Sequence, residues 1–255
     1  MGMKPHKKLP SGKLWLYGWH AVLAALANDQ RHYYRLLITA EQQKEFSQRS
    51  QGLCGAAHVR PEIVDKPRLN KILGQQAVHQ GIALEVRPLD PITLDDLKRM
   101  ITVRNQTTFV MLDQVTDPHN VGAIMRSAAA LGAKAMILQN RYAPEMQGAL
   151  AKAASGAIEE IQICEVVNLS RAITELKEAG CVCFALDEGG QDITIIQQTD
   201  HMCLVMGAEG DGLRPSVKEA CDGTISLPTE SNFTTLNVSN AAAVALYERR
   251  RSLMS

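Results

Sequence analysis

The sequence predicts an α/β protein with two parts, a C-terminal domain on a mostly parallel sheet and a smaller N-terminal α/β domain. From Thr107 onward, apolar runs without polar alternation are separated by helical patterns, which is typical of parallel strands covered on both faces. Before that point the alternating elements are shorter, and they end in a charged stretch with two prolines, PLDPITLDDLKRMITVRNQ. A chain of 255 residues has room for one or two domains.

These patterns divide the chain into four segments. We expect a flexible basic tail over 1–13, a small α/β domain over 14–90, a linker or bridging helix over 91–106, and the larger domain over 107–255. The tail, MGMKPHKKLPSGK, has no apolar segment behind it and so does not resemble a secretory signal. No apolar run approaches the roughly 20 residues that a membrane span needs, so we expect a cytoplasmic protein with no membrane partner.

In the first half, GWHAVLAALAND predicts a helix because Trp19, Val22, Leu23 and Leu26 recur at helical spacing. The following elements are predicted in order: a strand YRLLIT, a polar helix EQQKEFSQRSQG, an edge strand HVRPEIV broken by proline, a short helix RLNKILGQ and a strand GIALEVRPL.

In the second half, TFVMLDQV predicts a buried strand, and TDPHN opens the helix NVGAIMRSAAALG, which ends at Gly132. The remaining strands are predicted at KAMILQ, EEIQICEV, CVCFALDE, MCLVMG and GTISLP, and the remaining helices at EMQGALAKAA, NLSRAITELKEAG, SVKEAC and NVSNAAAVALYERRR.

Charge is distributed unevenly along the chain. Residues 1–106 hold 16 Lys and Arg against 9 Asp and Glu, whereas residues 107–255 hold 11 against 18. A basic half beside an acidic half points to contact with a polyanion such as nucleic acid. The six cysteines have no paired spacing for zinc or redox chemistry, and we expect buried free thiols. No cluster of His, Asp or Glu has metal-ligand spacing, so no metal site is predicted.

Three places could carry chemistry. Arg126 lies about 160° from the apolar stripe of its own helix, so it is either a solvated arginine or one aimed at phosphate. The turn in LVMGAEGDGL holds Glu209 among glycines at the carboxyl end of a predicted strand, where ligands of parallel sheets bind. In SNFTTLNVSN, Asn237 could simply cap the last helix.

Together, DPHNVGAIMRSAAALGA, LVMGAEGDGL and ISLPTESNFTTLNVSNAAAVALYE resemble the three ordered motifs of the SpoU (TrmH) family of RNA 2′-O-methyltransferases. LYGWHAVLAAL and AVHQGIALEV resemble the RNA-substrate domain of the subgroup that methylates a guanosine in 23S rRNA. The resemblance implies a deep trefoil knot in the C-terminal domain, S-adenosylmethionine as cofactor, a homodimer, and 23S rRNA or a large-subunit assembly intermediate as partner.

The resemblance also implies site residues. A catalytic set would comprise Asn120, Arg126, Glu209, Thr235 and Asn237, and a cofactor-binding set would comprise Gly207, Leu227 and Leu236. Glu209 would organise the loop and its polar neighbours. Arg126 occupies the position proposed as base, although a guanidinium normally stays protonated, so it either has an assisting partner or chiefly positions the nucleotide.

Two departures and two rival functions stay open. Thr235 stands where the family has serine, and the preceding TESNF lacks the usual glycine. The rivals are the same chemistry on tRNA, against which the basic N-terminal domain counts, and an RNA-binding protein that keeps the fold without catalysis. His79 is either a core histidine or an RNA contact, and the resemblance favours the contact.

Overall fold

The computed structural model describes residues 12–144, 146, 148–230 and 236–254. Its strands are β1 Leu14–Tyr17, β2 Tyr33–Ile38, β3 Pro61–Ile63, β4 Ile82–Val86, β5 Thr107–Asp113, β6 Ala135–Gln139, β7 Gln162–Val166, β8 Val182–Asp192, β9 His201–Gly207 and β10 Gly223–Ser226. Its helices are α1 Trp19–Ala27, α2 Gln43–Arg49, α3 Lys66–Leu73, α4 Leu94–Val103, α5 Pro118–Ala130, α6 Gly148–Ala154, α7 Leu169–Glu178, α8 Pro215–Ala220 and α9 Val238–Ser252.

The larger compact unit is built on a parallel sheet of strand order β10-β8-β9-β5-β6-β7. Every neighbouring pair in it is parallel, which confirms the predicted sheet. All seven residues of β5 are buried. Phe109 and Met111 share a core with residues of α4, α7 and α8, while Val110 and Leu112 are buried on the opposite side of the strand. The continuous apolar run is therefore explained by cover on both faces.

The smaller unit has a sheet of order β1-β4-β2-β3. Strand β4 pairs antiparallel with β1 and β2, and β2 pairs parallel with the short edge strand β3. Strand β1, LWLY, was not predicted, because four residues directly before a helix give too short a pattern to separate from that helix. The predicted small N-terminal α/β domain is confirmed as a fold.

The structure adds two facts to the domain boundaries predicted from sequence. The larger unit contains α4, whose Leu97 and Ile101 are buried in its core, so this part of the stretch expected as a linker is packed structure. The smaller unit takes in the described residues of 146–159. Apolar side chains explain this, because α6 buries Leu150, Ala151 and Ala154.

A buried ion pair also holds the 146–159 segment within the smaller unit. The Arg31 guanidinium donates from Nε and NH2 to both oxygens of Glu159, at 3.0 and 2.6 Å. Both side chains are almost wholly buried. Arg31 also donates to the Arg87 carbonyl, and Asn28 donates to Glu159, so each buried charge has further hydrogen bonds.

Four of the six cysteines are buried, as predicted, whereas Cys54 is exposed and Cys221 is half-buried. His79 is buried, in line with the first of its two interpretations, a core histidine. It is 7% exposed, its Nδ1 accepts from the Gly81 amide and its Nε2 bonds to Asn70 Oδ1. Burial, with a smaller effect from Lys66, lowers the pKa of His79. None of the described helices is long and apolar enough to cross a membrane.

Candidate active site

A cleft of about 1080 Å³ opens at the carboxyl edge of the parallel sheet. Its wall comes from the far end of β8, the loops after β9 and β10, and the start of α9. Small-molecule sites of open α/β sheets lie at this edge, and the volume is slightly above their usual range of roughly 300–1,000 Å³. The lining includes all three residues predicted to bind cofactor, Gly207, Leu227 and Leu236.

The glycine–glutamate turn forms one wall of this cleft. Gly207 ends β9, and a Cβ built on it would lie 2.1 Å from the Gly212 carbonyl carbon, so a larger residue would collide with the returning backbone. The Gly212 amide donates to the Ala208 carbonyl at 3.0 Å, which closes the turn. Gly210 and Gly212 both have positive φ, a conformation that glycine adopts without steric cost.

Three of the predicted catalytic residues meet at the cleft. The Asn237 Nδ2 group donates to Asn120 Oδ1 at 3.1 Å and to Glu209 Oε1. Glu209 Oε1 also accepts from the Val238 amide at 3.4 Å. These contacts join the first turn of α5, the turn after β9 and the start of α9, three segments far apart in sequence.

Asn237 also caps its helix. Its Oδ1 accepts from the Ser239 amide at 2.9 Å and from the Ser239 hydroxyl, so capping explains the oxygen end of this side chain. The hydrogen bonds of the nitrogen end to Asn120 and Glu209 are not needed for capping.

Arg126 lies on α5, about two turns beyond the Asp117 cap that accepts from the His119 amide. Its side chain is exposed, as the helical angle predicts, and it has no ion pair or hydrogen bond to the rest of the described chain. An exposed guanidinium without a partner can bind a ligand's phosphate. Thr235, the remaining catalytic prediction, lies outside the described residues.

Sequence reasoning missed a buried carboxylate beside the cleft. Asp113, the last residue of β5, is fully buried and bonded to Arg214. The predicted buried strand TFVMLDQV includes Asp113, but nothing in that pattern marks its carboxylate as part of a site. Its partner lies 101 residues further along, and local patterns carry no signal for such a pairing.

The cleft is rich in acidic groups. Asp187, Glu188 and Asp211 line it together with Glu209, and Asp187 accepts from Lys218 Nζ at 2.6 Å. Apolar side chains lie among them, including Leu186, Met206 and Leu227. Such a lining suits a small molecule that carries positive charge and a flat apolar ring system. Within the described ranges, no group of three or more His, Cys, Asp or Glu side chains is placed to hold a metal ion.

Fold and site together define a two-domain α/β protein with a ligand cleft of the kind that binds nucleotide-like molecules. The chain belongs to the SpoU rRNA methylase family, whose model matches residues 107–247. Residues 15–92 match a second family, described as the substrate-binding domain of RNA 2′-O ribose methyltransferases. The resemblance read from the three motifs is thereby confirmed.

Sequence relatives support this membership over more than 90% of this chain, and a solved structure shows the same fold. A Synechocystis protein named as an uncharacterised tRNA/rRNA methyltransferase is 40% identical over 91% of this chain, which spans 61% of that relative's length. The 23S rRNA (guanosine-2′-O-)-methyltransferase RlmB of Ralstonia nicotianae is 36% identical, over 94% of this chain and 96% of its own. The SpoU methyltransferase AviRb of Streptomyces viridochromogenes, solved with AdoMet, has a TM-score of 0.78 at 24% identity, covering 96% and 92% of the two chains.

Proposed function

We propose that this protein transfers a methyl group from S-adenosylmethionine to the ribose 2′-hydroxyl of a guanosine in 23S rRNA. The observation that carries the proposal is the hydrogen-bonded cluster of Asn120, Glu209 and Asn237 at the rim of the cleft. These residues come from the three family motifs, and they meet at the rim of the cleft, within reach of a ligand bound there. The RlmB relatives supply the choice of a 23S rRNA guanosine.

The cleft fits the cofactor in shape and charge. S-adenosylmethionine carries a sulfonium and an ammonium cation together with a planar adenine. Backbone groups of the turn at Gly207 and the apolar side chains of Leu227 and Leu236 would hold the adenine, while the acidic lining would favour the cations. The chemistry that the cofactor supplies when bound is an already activated methyl group.

Because the methyl donor is activated, the protein's task is alignment and removal of one proton. Asn237 presents its amide at the rim, and Glu209 fixes that amide by accepting from it. Asn120 accepts from the same amide, so all three side chains have a defined orientation. We assign Glu209 this organising role and not that of proton acceptor.

Arg126 is assigned to the RNA. A guanidinium that keeps its charge binds phosphate through paired hydrogen bonds, and Arg126 has no ion-pair partner within the described chain to compete for it. In this role it holds the nucleotide so that the 2′-hydroxyl faces the cleft. The hydroxyl proton then passes to a phosphate oxygen or to solvent, and Arg126 stays charged.

We also propose the deep knot and the homodimer that accompany this family resemblance. Close backbone approaches support the knot: a Cβ on Gly190 would lie 2.6 Å from the Ile225 carbonyl carbon, and one on Gly207 would lie 2.1 Å from the Gly212 carbonyl carbon. An exposed apolar face on α9 supports the dimer, since Val244 and Tyr247 are 48% and 60% exposed at helical spacing. Sedimentation of Tyr247→Glu protein tests the dimer, which should become monomeric.

The test of function is transfer of labelled methyl from S-adenosylmethionine to unmodified 23S rRNA, with tRNA and large-subunit assembly intermediates as parallel substrates. Label on a guanosine ribose in 23S rRNA, naked or in an intermediate, supports the proposal. Label on tRNA alone would keep the chemistry and overturn the substrate. Label on none of the three, with RNA binding intact, would indicate an RNA-binding protein without catalysis.

A further inference from the structure

A fully buried carboxylate stands directly beside the glycine–glutamate turn. Asp113 Oδ2 accepts from the Arg214 backbone amide at 3.0 Å. Asp113 Oδ1 accepts from Arg214 Nε at 2.8 Å, and it lies 2.7 Å from Nη2 of the same guanidinium as an ion pair. Among the described residues, Arg214 supplies every hydrogen-bond donor to this carboxylate, from its main chain and its side chain together. We call this arrangement the Asp113–Arg214 clamp.

The clamp is continued along the edge of the sheet. Arg214 NH2 also donates to Gln139 Oε1 at 2.9 Å, and Gln139 Nε2 donates to the Val167 carbonyl at 2.9 Å. Asp113 and Gln139 are the last residues of β5 and β6, and Val167 directly follows β7. The sheet therefore fixes the guanidinium on one side, while the residue itself belongs to the loop that walls the cleft.

Both ends of the clamp are close in sequence to site residues. Arg214 follows Gly212 by two residues and Glu209 by five, and Asp113 precedes the Asp117 cap of α5 by four. Directly after Asp113, Gln114 has a φ of +58°, a strained conformation for a non-glycine residue that persists where the surroundings fix it. The chain therefore leaves β5 along a constrained path.

We propose that the Asp113–Arg214 clamp is a positioning device for the methyl-transfer site. It fixes the turn from Gly207 to Gly212 against the start of α5, so that Glu209 and Asn120 meet across Asn237 and the cofactor cleft keeps its wall. This inference rests on the proposed function. Asp113 and Arg214 act through the loop and touch neither cofactor nor ribose in this assignment.

A role of the clamp in stability alone explains less of its geometry than a positioning role does. A buried ion pair often adds little net stability over apolar packing, because desolvation of the charges offsets their attraction. Here the guanidinium is about a third exposed, and its fork joins three chain segments at the site. Directional bonds of this kind fix position more than they lower free energy.

The test compares Arg214→Gln, Arg214→Lys, Asp113→Asn and the double variant Asp113→Asn/Arg214→Gln. Arg171→Gln is the matched control, since Arg171 is 81% exposed and pairs with Glu175 on one helix. Three quantities are measured: hydrogen exchange of the peptide amides over 207–213, the Kd for S-adenosylmethionine, and the single-turnover rate at saturating cofactor.

We expect Arg214→Gln to speed exchange over 207–213, to weaken cofactor binding about tenfold, and to slow transfer about 100-fold, as a misplaced reacting geometry does. Arg214→Lys should fall between it and the wild type, because lysine keeps the charge but not the fork. The double variant should be no worse than the more affected single variant, since the two residues form one unit.

Unchanged exchange and unchanged cofactor affinity in Arg214→Gln would overturn the clamp. Equal slowing by Lys and Gln, with a lower melting temperature as the sole other change, would also overturn it in favour of plain stabilisation. A wild-type protein that binds no S-adenosylmethionine would instead refute the proposed function, and the exchange data would still decide whether the clamp holds the loop.

Discussion

The oxygen and the nitrogen of the Asn237 side-chain amide have different functions. Its oxygen caps α9, and its nitrogen donates to Glu209 and Asn120. A hydroxyl can replace the first function and not the second, because serine is a good N-cap but too short to span the same contacts. The two tasks can therefore be separated by choice of substitution.

We predict that Asn237→Ala lowers the free energy of unfolding by about 1 kcal/mol through the lost cap, whereas Asn237→Ser leaves it nearly unchanged. Both variants should lose methyl transfer by on the order of 100-fold, because a preorganised polar group is removed from the site. Urea denaturation and single-turnover assays measure the two effects. An active Asn237→Ser protein would reduce this residue to a cap.

Arg126 is the opposite case, a residue to which we assign no role in stability. Because it is exposed and unpaired within the described ranges, Arg126→Ala should leave stability and cofactor affinity nearly intact while transfer falls by on the order of 100-fold. Calorimetric titration with S-adenosylmethionine and the labelled-methyl assay separate the two quantities. Arg171→Ala is the control, and a lost cofactor affinity in Arg126→Ala would contradict the assignment to RNA.

At the scale of elements, the site depends on how closely the chain returns on itself after β9. Gly207→Ala places a methyl group against the Gly212 backbone. The loop must move, so we expect a loss of about 1–3 kcal/mol of stability, as in other overpacked sites, and cofactor binding weakened at least about tenfold, which is about 1.4 kcal/mol.

Gly223→Ala is the matched control for this substitution. Gly223 also lies in a strand of the parallel sheet, but its added Cβ would meet nothing nearer than the Phe184 ring at 3.8 Å, an ordinary contact. Thermal unfolding measures the stability of both variants, and cofactor titration measures their affinity for S-adenosylmethionine. If Gly207→Ala binds S-adenosylmethionine as well as Gly223→Ala does, the turn is not the wall of the cofactor site.

The elements themselves were largely predictable, because the signal for each is local. Apolar runs gave the strands of the parallel sheet, and the stripe containing Val121, Ile124 and Met125 gave α5. The motifs named Asn120, Glu209 and Asn237, yet local patterns could not place them in contact. Pairings such as Asp113 with Arg214 depend on tertiary structure, and the short strand β1 is fixed by its pairing with β4.

On the scale of the whole molecule, the uneven charge predicts how RNA binding responds to salt. Lys44, Arg60 and Lys71 are three of the exposed cations of the smaller unit that have no ion pair within the described ranges. Each RNA phosphate that a protein cation no longer neutralises lowers the slope of log K against log salt by about 0.7. Replacing all three with Gln should therefore flatten the slope by up to about 2. We measure it by filter binding over a range of KCl concentrations.

Exposed arginines of the larger unit provide the control for this prediction: Arg99, Arg104 and Arg171. Their replacement by Gln removes the same charge from the chain. If both triple variants flatten the slope equally, the effect is one of net charge, and the smaller unit is not the docking surface.

The smaller unit includes the segment 146–159, and a comparison of two ion pairs tests what holds this segment in place. Arg31 and Glu159 form a bidentate pair that is nearly inaccessible to solvent, and Arg35 and Glu62 form a similar pair that is 38% and 45% exposed. The chemistry of the two pairs is the same, and burial differs. Removing one partner leaves an uncompensated charge in the buried pair but a hydrated one in the exposed pair.

Glu159→Gln should therefore cost about 3–5 kcal/mol of stability, whereas Glu62→Gln should cost less than about 1 kcal/mol. Both tryptophans, Trp15 and Trp19, lie in the smaller unit, so tryptophan fluorescence during urea denaturation follows this unit directly. A similar small loss for both variants would mean that the 146–159 segment is held by its apolar side chains alone. A large loss confined to Glu159→Gln would mean that the buried ion pair anchors this segment. Removal of residues 1–90 would then leave Glu159 without its partner Arg31.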